Sequence, residues 1–292
     1  MNELRGAGVA LITPFNTDGT VDYESLGNLI DYQIKEGMDY LVVLGTTGET
    51  ATLLAEERKQ VWEFVAKRVE GRLPLIAGIG GNNTQEIVKQ VDQFNIDGYC
   101  AILSVSPYYN KPTQEGIYQH YKAISAVSKL PIILYNVPGR TGSNIAPATA
   151  IRLATTCDNI IAIKEASGNF AQFSEIMRDK PADFLLISGD DPVTLPMMAL
   201  GAVGVISVVG NAYPKKMATL VHACSSGDYA AARDIHNTLL KITDLCFVES
   251  NPCGVKYILK KQGIIATDAV RLPLVPVGPQ TQQAVEKEMD YV

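Results

Sequence analysis

Along the chain, apolar residues gather in short dense runs set between stretches with a helical rhythm. The runs are "GVALITPF", "YLVVLGTTGE", "PLIAGIGG", "YCAILSVSPYY", "PIILYNVPG", "IIAIKEASG", "FLLISGDD" and "GVISVVGN", and each gives way to Gly, Pro, Ser, Thr, Asn or Asp. Runs this short and this dense read as strands covered on both faces, the kind that parallel sheets contain. Between them the spacing changes. In "DYESLGNLIDYQIKEG", Leu26, Leu29, Ile30 and Ile34 share one helical face, and Gly37 suits the C-terminal cap. Val61, Phe64, Val65 and Val69 form a second stripe, closed by Gly71, and Ile87, Val91 and Phe94 form a third.

Strand, polar loop, amphipathic helix and strand again is the alternation that builds a parallel sheet. Eight such strands favour closure, and the 292 residues exceed the ~250 typical of a (β/α)8 barrel. The expected fold is α/β: a TIM barrel over residues 1–224 with a C-terminal helical section over 225–292. An open doubly wound sheet is the alternative. Past residue 212 the β-type runs stop. Met217, Leu220, Val221 and Cys224 then mark one helix face, and Ile235, Leu239, Ile242 and Cys246 another. Part of this supplies the last barrel helix. The rest, through "VKYILKKQG" and "TQQAVEKEM", is expected to pack on the barrel.

Composition narrows the function classes. Hydrophobic residues make up 47% of the chain, enough for a large core. The net charge of −6, with no run of Lys or Arg, argues against a nucleic-acid or anionic-membrane surface. No apolar stretch approaches a membrane span, and "MNELRGAGVALITPF" does not read as a signal peptide. Five cysteines without a C-x-x-C pair read as reduced thiols in a cytoplasmic protein.

Chemistry is sought at the C-terminal strand ends, where (β/α)8 enzymes keep it. Those ends carry Thr46 and Thr47, Tyr108 and Tyr109, Tyr135, Asn136 and Arg140, Lys164, and Gly189 with Asp190. His120, His222 and His236 fall in helical stretches without a metal-binding spacing. "GIGGN" and "SGDD" match neither a P-loop nor a dinucleotide fingerprint. Asp190 and Asp191 are adjacent, and neighbours on a strand face opposite ways, which makes a poor pair for a metal or for glycoside chemistry. Neither metal nor cofactor is expected.

What remains is a lysine, hydroxyls and an arginine, a set suited to carbonyl chemistry. A lysine amine adds to a ketone, loses water and leaves a Schiff base that acts as an electron sink. Lys164, in "IIAIKEASGN", ends a run dense enough to be buried, and attack requires the neutral amine that burial favours. A phenol linked to Thr46 could move protons on and off the carbinolamine oxygen. An arginine could clamp a carboxylate at two points. Each residue also has a structural rival. Lys164 could close the barrel by pairing with Glu49 or Glu165. Tyr108 and Tyr109 could be packing residues, and Arg140, in "PGRTGSN", a solvated turn residue.

Taken in order, "GTTGE", "SPYYNKPTQEG", "YNVPGRTG", "IKEASGN" and "SGDD" closely resemble the dihydrodipicolinate synthase family. That family belongs to the pyruvate-dependent class I aldolases, a group that includes N-acetylneuraminate lyase. The likeness runs from about residue 5 to residue 275, with "FVESNP" and "RLPL" in the helical section. It implies a Schiff base between Lys164 and pyruvate, whose carboxylate meets Thr46 and Thr47. It implies that Tyr135 is the general acid and base, relayed through Thr46 to Tyr109, and that backbone groups of Gly189 and Ile206 line the pocket. In the family the last tyrosine of the relay reaches across from a neighbouring subunit, which implies a homotetramer or homodimer. An arginine in the "PGRTG" turn binds the carboxylate of L-aspartate-4-semialdehyde in the synthases, and neuraminate lyases generally lack it. Arg140 therefore implies the synthase reaction, giving 4-hydroxy-tetrahydrodipicolinate on the lysine and diaminopimelate route.

Two departures stand out. "NPCGVK" replaces the more usual "NPxPVK", implying a looser turn with unchanged chemistry. In the region of the family's lysine feedback site, Asn82, Glu86 and Tyr108 match ligand positions, next to Thr50 and Ala51. Ala55 and Arg58 stand where lysine-sensitive bacterial enzymes commonly carry histidines, so weak or absent inhibition by L-lysine is expected. Two other readings stay open: a sister aldolase acting on a sugar-derived or aromatic 2-oxo acid, and a non-catalytic barrel that binds such an acid as a sensor.

Overall fold

The computed structural model describes residues 2–292. All eight apolar runs form strands, and these close in sequence order into a parallel barrel in which β1 pairs with both β2 and β8. In chain order the elements are β1 (Gly6–Ala10), α1 (Tyr23–Lys35), β2 (Tyr40–Val43), α2 (Ala55–Val69), β3 (Leu75–Gly78), α3 (Thr84–Asp92), β4 (Tyr99–Val105) and α4 (Gln114–Val127). Then follow β5 (Ile132–Asn136), the single turn α5 (Pro138–Thr141), α6 (Pro147–Thr156), β6 (Ile160–Glu165), α7 (Phe170–Asp179), β7 (Leu185–Ser188), α8 (Thr194–Ala199), β8 (Gly204–Ser207) and α9 (Pro214–Ser225). The chain ends with α10 (Tyr229–Phe247), α11 (Cys253–Lys261) and α12 (Pro279–Met289).

Strand alternation divides the apolar residues into two cores. One fills the barrel and includes Tyr40, Val42, Ile76, Leu103, Ile133, Tyr135, Ile187 and Ile206. The other lies between sheet and helices, where Leu26, Leu29, Ile30, Val61, Val65, Ile87 and Val91 pack as their periodicity predicts. Phe94 differs. It falls beyond the end of α3 and stacks edge-on against Trp62 and Tyr99, at centroid distances of 5.2 and 5.4 Å. An aromatic ring can join the core from a loop when it finds such partners. Side chains of Asp22, Asn83, Thr113, Asn169 and Asp228 cap α1, α3, α4, α7 and α10 by accepting from the first-turn amides.

The C-terminal section is bound to the catalytic end of the barrel through buried charge. Lys256 of α11 is 0% exposed and donates to Glu49 Oε1 at 2.5 Å and to the Ala269 carbonyl at 2.8 Å, with its ammonium 4.2 Å from the centre of the Phe15 ring. The other oxygen of Glu49 accepts from the Arg271 amide, and the Arg271 guanidinium bonds Glu57 and the carbonyls of Gly19 and Thr52. Burial pulls the Lys256 amine down to about 8, with Glu49 acting the other way. Gly254 is buried, and a Cβ there would stand 2.4 Å from the Leu245 carbonyl oxygen, so its absence lets α11 lie against the α10 backbone.

Lys256→Met is expected to leave Glu49 charged and buried without its cation. Breaking a buried pair in this way costs about 3–5 kcal/mol. Denaturant unfolding that shows a loss below about 1 kcal/mol would contradict the structural weight placed on this pair.

Candidate active site

The register between β5 and β6 sets Tyr135 opposite Lys164 and Asn136 opposite Glu165. Alternation then turns the first pair into the barrel and the second outward. Lys164 is 4% exposed and Tyr135 is 6% exposed, and the ammonium lies 4.3 Å from the centre of the tyrosine ring. The barrel-closing rival for Lys164 is not realised. Glu49 is engaged by Lys256, and Glu165 accepts from Asn136, Gln172 and Ser167. Lys164 is left without an ion pair among the described residues.

Gly189 shapes the lysine's slot. A Cβ at this position would lie 2.9 Å from Lys164 Cε and 3.0 Å from Lys164 Cγ, so the glycine makes room for the alkyl chain. Its amide donates to the Glu165 carbonyl at 2.8 Å, which fixes the end of β7 against β6. Ile206 is buried on β8 among the barrel's interior residues.

Thr46 and Thr47 occupy a short turn between two left-handed residues, Leu44 (φ +60°) and Glu49 (φ +52°). Such conformations are costly for non-glycine residues and persist where the surroundings fix them. Here the fixing groups are Lys256 on Glu49, Thr13 Oγ1 on the Gly48 carbonyl at 2.7 Å, and Asn251 Nδ2 on Thr47 Oγ1 at 3.0 Å. Thr47 is buried and Thr46 half-buried.

A cavity of about 410 Å³ opens beside this turn. Its wall includes Thr46 and Arg140, together with Thr50, Ala51, Arg58, Asn82, Glu86 and Tyr108. Lys164 and Tyr135 are not part of that wall, being buried within the barrel. Arg140, on α5, is exposed. Arg58 is half-buried, donates to the Leu53 carbonyl at 3.2 Å, and has a buried Nε–H without a partner in the chain. Ala55 is exposed at the start of α2 and stands off the cavity. Tyr109 is 84% exposed at φ +75°, and no hydrogen bond among the described residues joins it or Tyr135 to Thr46. Within one chain Tyr109 therefore projects into solvent, apart from Thr46 and Tyr135.

The lysine, the threonine turn, the arginine and the projecting tyrosine come from four different strand ends of one barrel. Residues 3–291 match the Dihydrodipicolinate synthetase family. The chain belongs to that family. It is 54% identical to a 4-hydroxy-tetrahydrodipicolinate synthase of Parabacteroides distasonis, over 97% of this chain and 95% of the relative. Dihydrodipicolinate synthase from Aquifex aeolicus has a crystal structure that superposes with a TM-score of 0.95 at 44% identity, covering 98% of this chain and 97% of that one. The chloride-inhibited dihydrodipicolinate synthase of Acinetobacter baumannii, solved with pyruvate, gives a TM-score of 0.95 at 40% identity, covering 99% and 98%.

Around these residues the fold places others that support them. Asp191 is buried and accepts from the Val208 and Val209 amides, both at 2.9 Å, pinning the end of β8. Burial holds its carboxyl above the usual range. Asp190 is half-buried, and burial, reinforced by Asp191, pushes it up to about 6. Asn251 and Lys256 support the threonine turn from the C-terminal section. Only the acids immediately after the "FLLIS" run carried a signal, since acids at a strand end face the catalytic mouth.

Proposed function

We propose that this chain joins pyruvate to L-aspartate-4-semialdehyde through a Schiff base on Lys164, the reaction of a 4-hydroxy-tetrahydrodipicolinate synthase. The activity is that of a lyase acting in lysine and diaminopimelate biosynthesis, in the cytoplasm. The observation that carries this reading is a buried lysine that makes no ion pair among the described residues, set over Tyr135 at the C-terminal end of a barrel strand. A structural lysine would have a partner, as Lys256 does.

The Lys164 amine adds to the keto carbon of pyruvate, and loss of water gives the imine. Tyr135 gives and takes the protons, passing them through Thr46 to Tyr109. Thr46 and Thr47 hold the pyruvate carboxylate, and Gly189 and Ile206 line its pocket. Deprotonation of the imine gives an enamine whose carbon attacks the aldehyde, while Arg140 grips the aldehyde substrate's carboxylate; the semialdehyde's own amino group then attacks the imine carbon, closing the ring and displacing the Lys164 amine. The exposure and left-handed backbone of Tyr109 support its insertion into a second subunit's site, hence a homodimer or homotetramer. A sensor would have no use for this alignment of lysine and phenol.

Arg140→Ala is expected to cripple turnover of aspartate semialdehyde while leaving imine formation with pyruvate nearly intact. A desolvated carboxylate clamp is worth about 2–5 kcal/mol. Steady-state kinetics with each substrate varied in turn would check this, and unchanged use of the semialdehyde would remove the basis for the synthase assignment.

L-Lysine is expected to inhibit weakly or not at all. In an effector site formed by Thr50, Ala51, Asn82, Glu86 and Tyr108, the ligand's ε-ammonium meets Arg58, which offers only donors. Arg58 lies on the cavity wall and not in bulk solvent. Two like charges ~4 Å apart repel by about 4 kcal/mol at an effective dielectric of 20, and by ~1 kcal/mol when hydrated. Assays with rising lysine on the unmodified protein and on Arg58→His check this, and strong inhibition of the unmodified protein would contradict it.

A further inference from the structure

Behind β5 and β6, on the face away from Lys164, lies a buried polar cluster that the reaction does not use. Glu165 and Asn136 are both 0% exposed. Asn136 Nδ2 donates to Glu165 Oε1 at 2.6 Å and to Asn144 Oδ1 at 2.8 Å, while Asn136 Oδ1 accepts from the Ile145 amide at 2.9 Å. Gln172 Nε2 donates to Glu165 Oε2 at 2.6 Å, and Ser167 Oγ donates to the same oxygen at 3.0 Å. Asn144 Nδ2 closes the circuit by donating to Gln172 Oε1 at 2.8 Å.

The circuit ends on one segment, residues 137–146. That segment carries Arg140, whose side chain is exposed and makes no hydrogen bond among the described residues. The guanidinium's position is therefore inherited from the backbone. One arm of the segment is held by Ser143 Oγ, which donates to the Pro107 carbonyl at 2.8 Å. The other arm, Asn144 to Ala146, is held by the cluster and by Gln114, whose Oε1 accepts from the Ala146 amide at 3.0 Å.

We propose that Glu165 is a positioning residue for the acceptor substrate: through Asn136 and Asn144 it fixes the segment that presents Arg140, without touching substrate itself. This rests on the assignment of Arg140 as the carboxylate clamp. Every neighbour of Glu165 donates to it, so the ionised carboxylate satisfies the cluster and a protonated one adds a donor among donors. Burial pushes the carboxyl up to about 7 against those three hydrogen bonds. The groups facing it are Asn136 from β5, Gln172 from α7, and Ser167 and Asn144 from the loops, none of which titrates near neutrality. Lys164 projects to the opposite face of β6. The segment is thus held best above pH ~7 and loosens below it.

Glu165→Gln and Asn144→Ala are to be compared with wild type by steady-state kinetics. Each is expected to raise the KM for aspartate semialdehyde by about tenfold, the scale of one lost buried hydrogen bond. The KM for pyruvate and borohydride-trapped imine at Lys164 should stay within about twofold of wild type. The wild-type KM for the semialdehyde should rise as pH falls through about 7, a step that the Gln variant lacks. In the double variant Arg140→Ala/Glu165→Gln, the second change should add nothing to the first, since both act through one guanidinium. Asn144→Ala leaves the bonds among Glu165, Asn136 and Gln172 in place, so it reads the link even if Glu165→Gln folds poorly. Normal semialdehyde kinetics in both single variants, with Arg140→Ala crippled, would overturn the positioning role alone. Normal kinetics in Arg140→Ala would overturn the clamp on which it rests.

Discussion

Register between β5 and β6 governs everything chemical in this molecule. Tyr135 faces Lys164 and Asn136 faces Glu165 because the two strands pair at those residues. A slip of one residue would turn every side chain to the other face, placing the carboxylate in the barrel and the lysine among amides. The pattern of the two strands resists that slip. Ile133 and Ala162 belong in the barrel interior, while Ile132, Leu134, Ile160 and Ile163 belong to the layer under the helices. The apolar residues thus choose the faces, and the Tyr135–Lys164 pair and the polar cluster follow.

The treatment of the two buried lysines shows how function is separated from support. Lys256 is fully paired and holds the C-terminal section against the turn that bears Thr46 and Thr47. Lys164 faces an aromatic ring instead of a carboxylate, with a glycine at position 189 leaving room for its methylenes. One lysine thus serves as a buried brace, and the other is left without an ion pair at the end of its strand.

Much of the fold was legible because strands covered on both faces must be apolar along their length, and helices with one covered face must be periodic. The strand-end residues Thr46, Tyr135, Arg140 and Lys164 were legible for a related reason: topology puts those ends at one mouth. The choice between an ion-paired and a reactive Lys164 was not legible. It depends on which carboxylates are already engaged, and Glu49 is engaged by a residue 207 positions away in sequence. The Glu165 cluster was hidden likewise, since Asn136 and Asn144 meet Glu165 and Gln172 only once two successive strand–helix units have folded together. Arg58 could be placed on a helix start from sequence, but only the folded chain turns it toward the cavity.

The central claim is that Lys164 forms a covalent imine with pyruvate. Incubation with pyruvate and borohydride, followed by mass spectrometry of the peptide containing residue 164, tests it directly. The account predicts one reduced pyruvate adduct, located on Lys164, with activity lost in step with labelling. Label on another lysine, or active protein that takes no label, would contradict it.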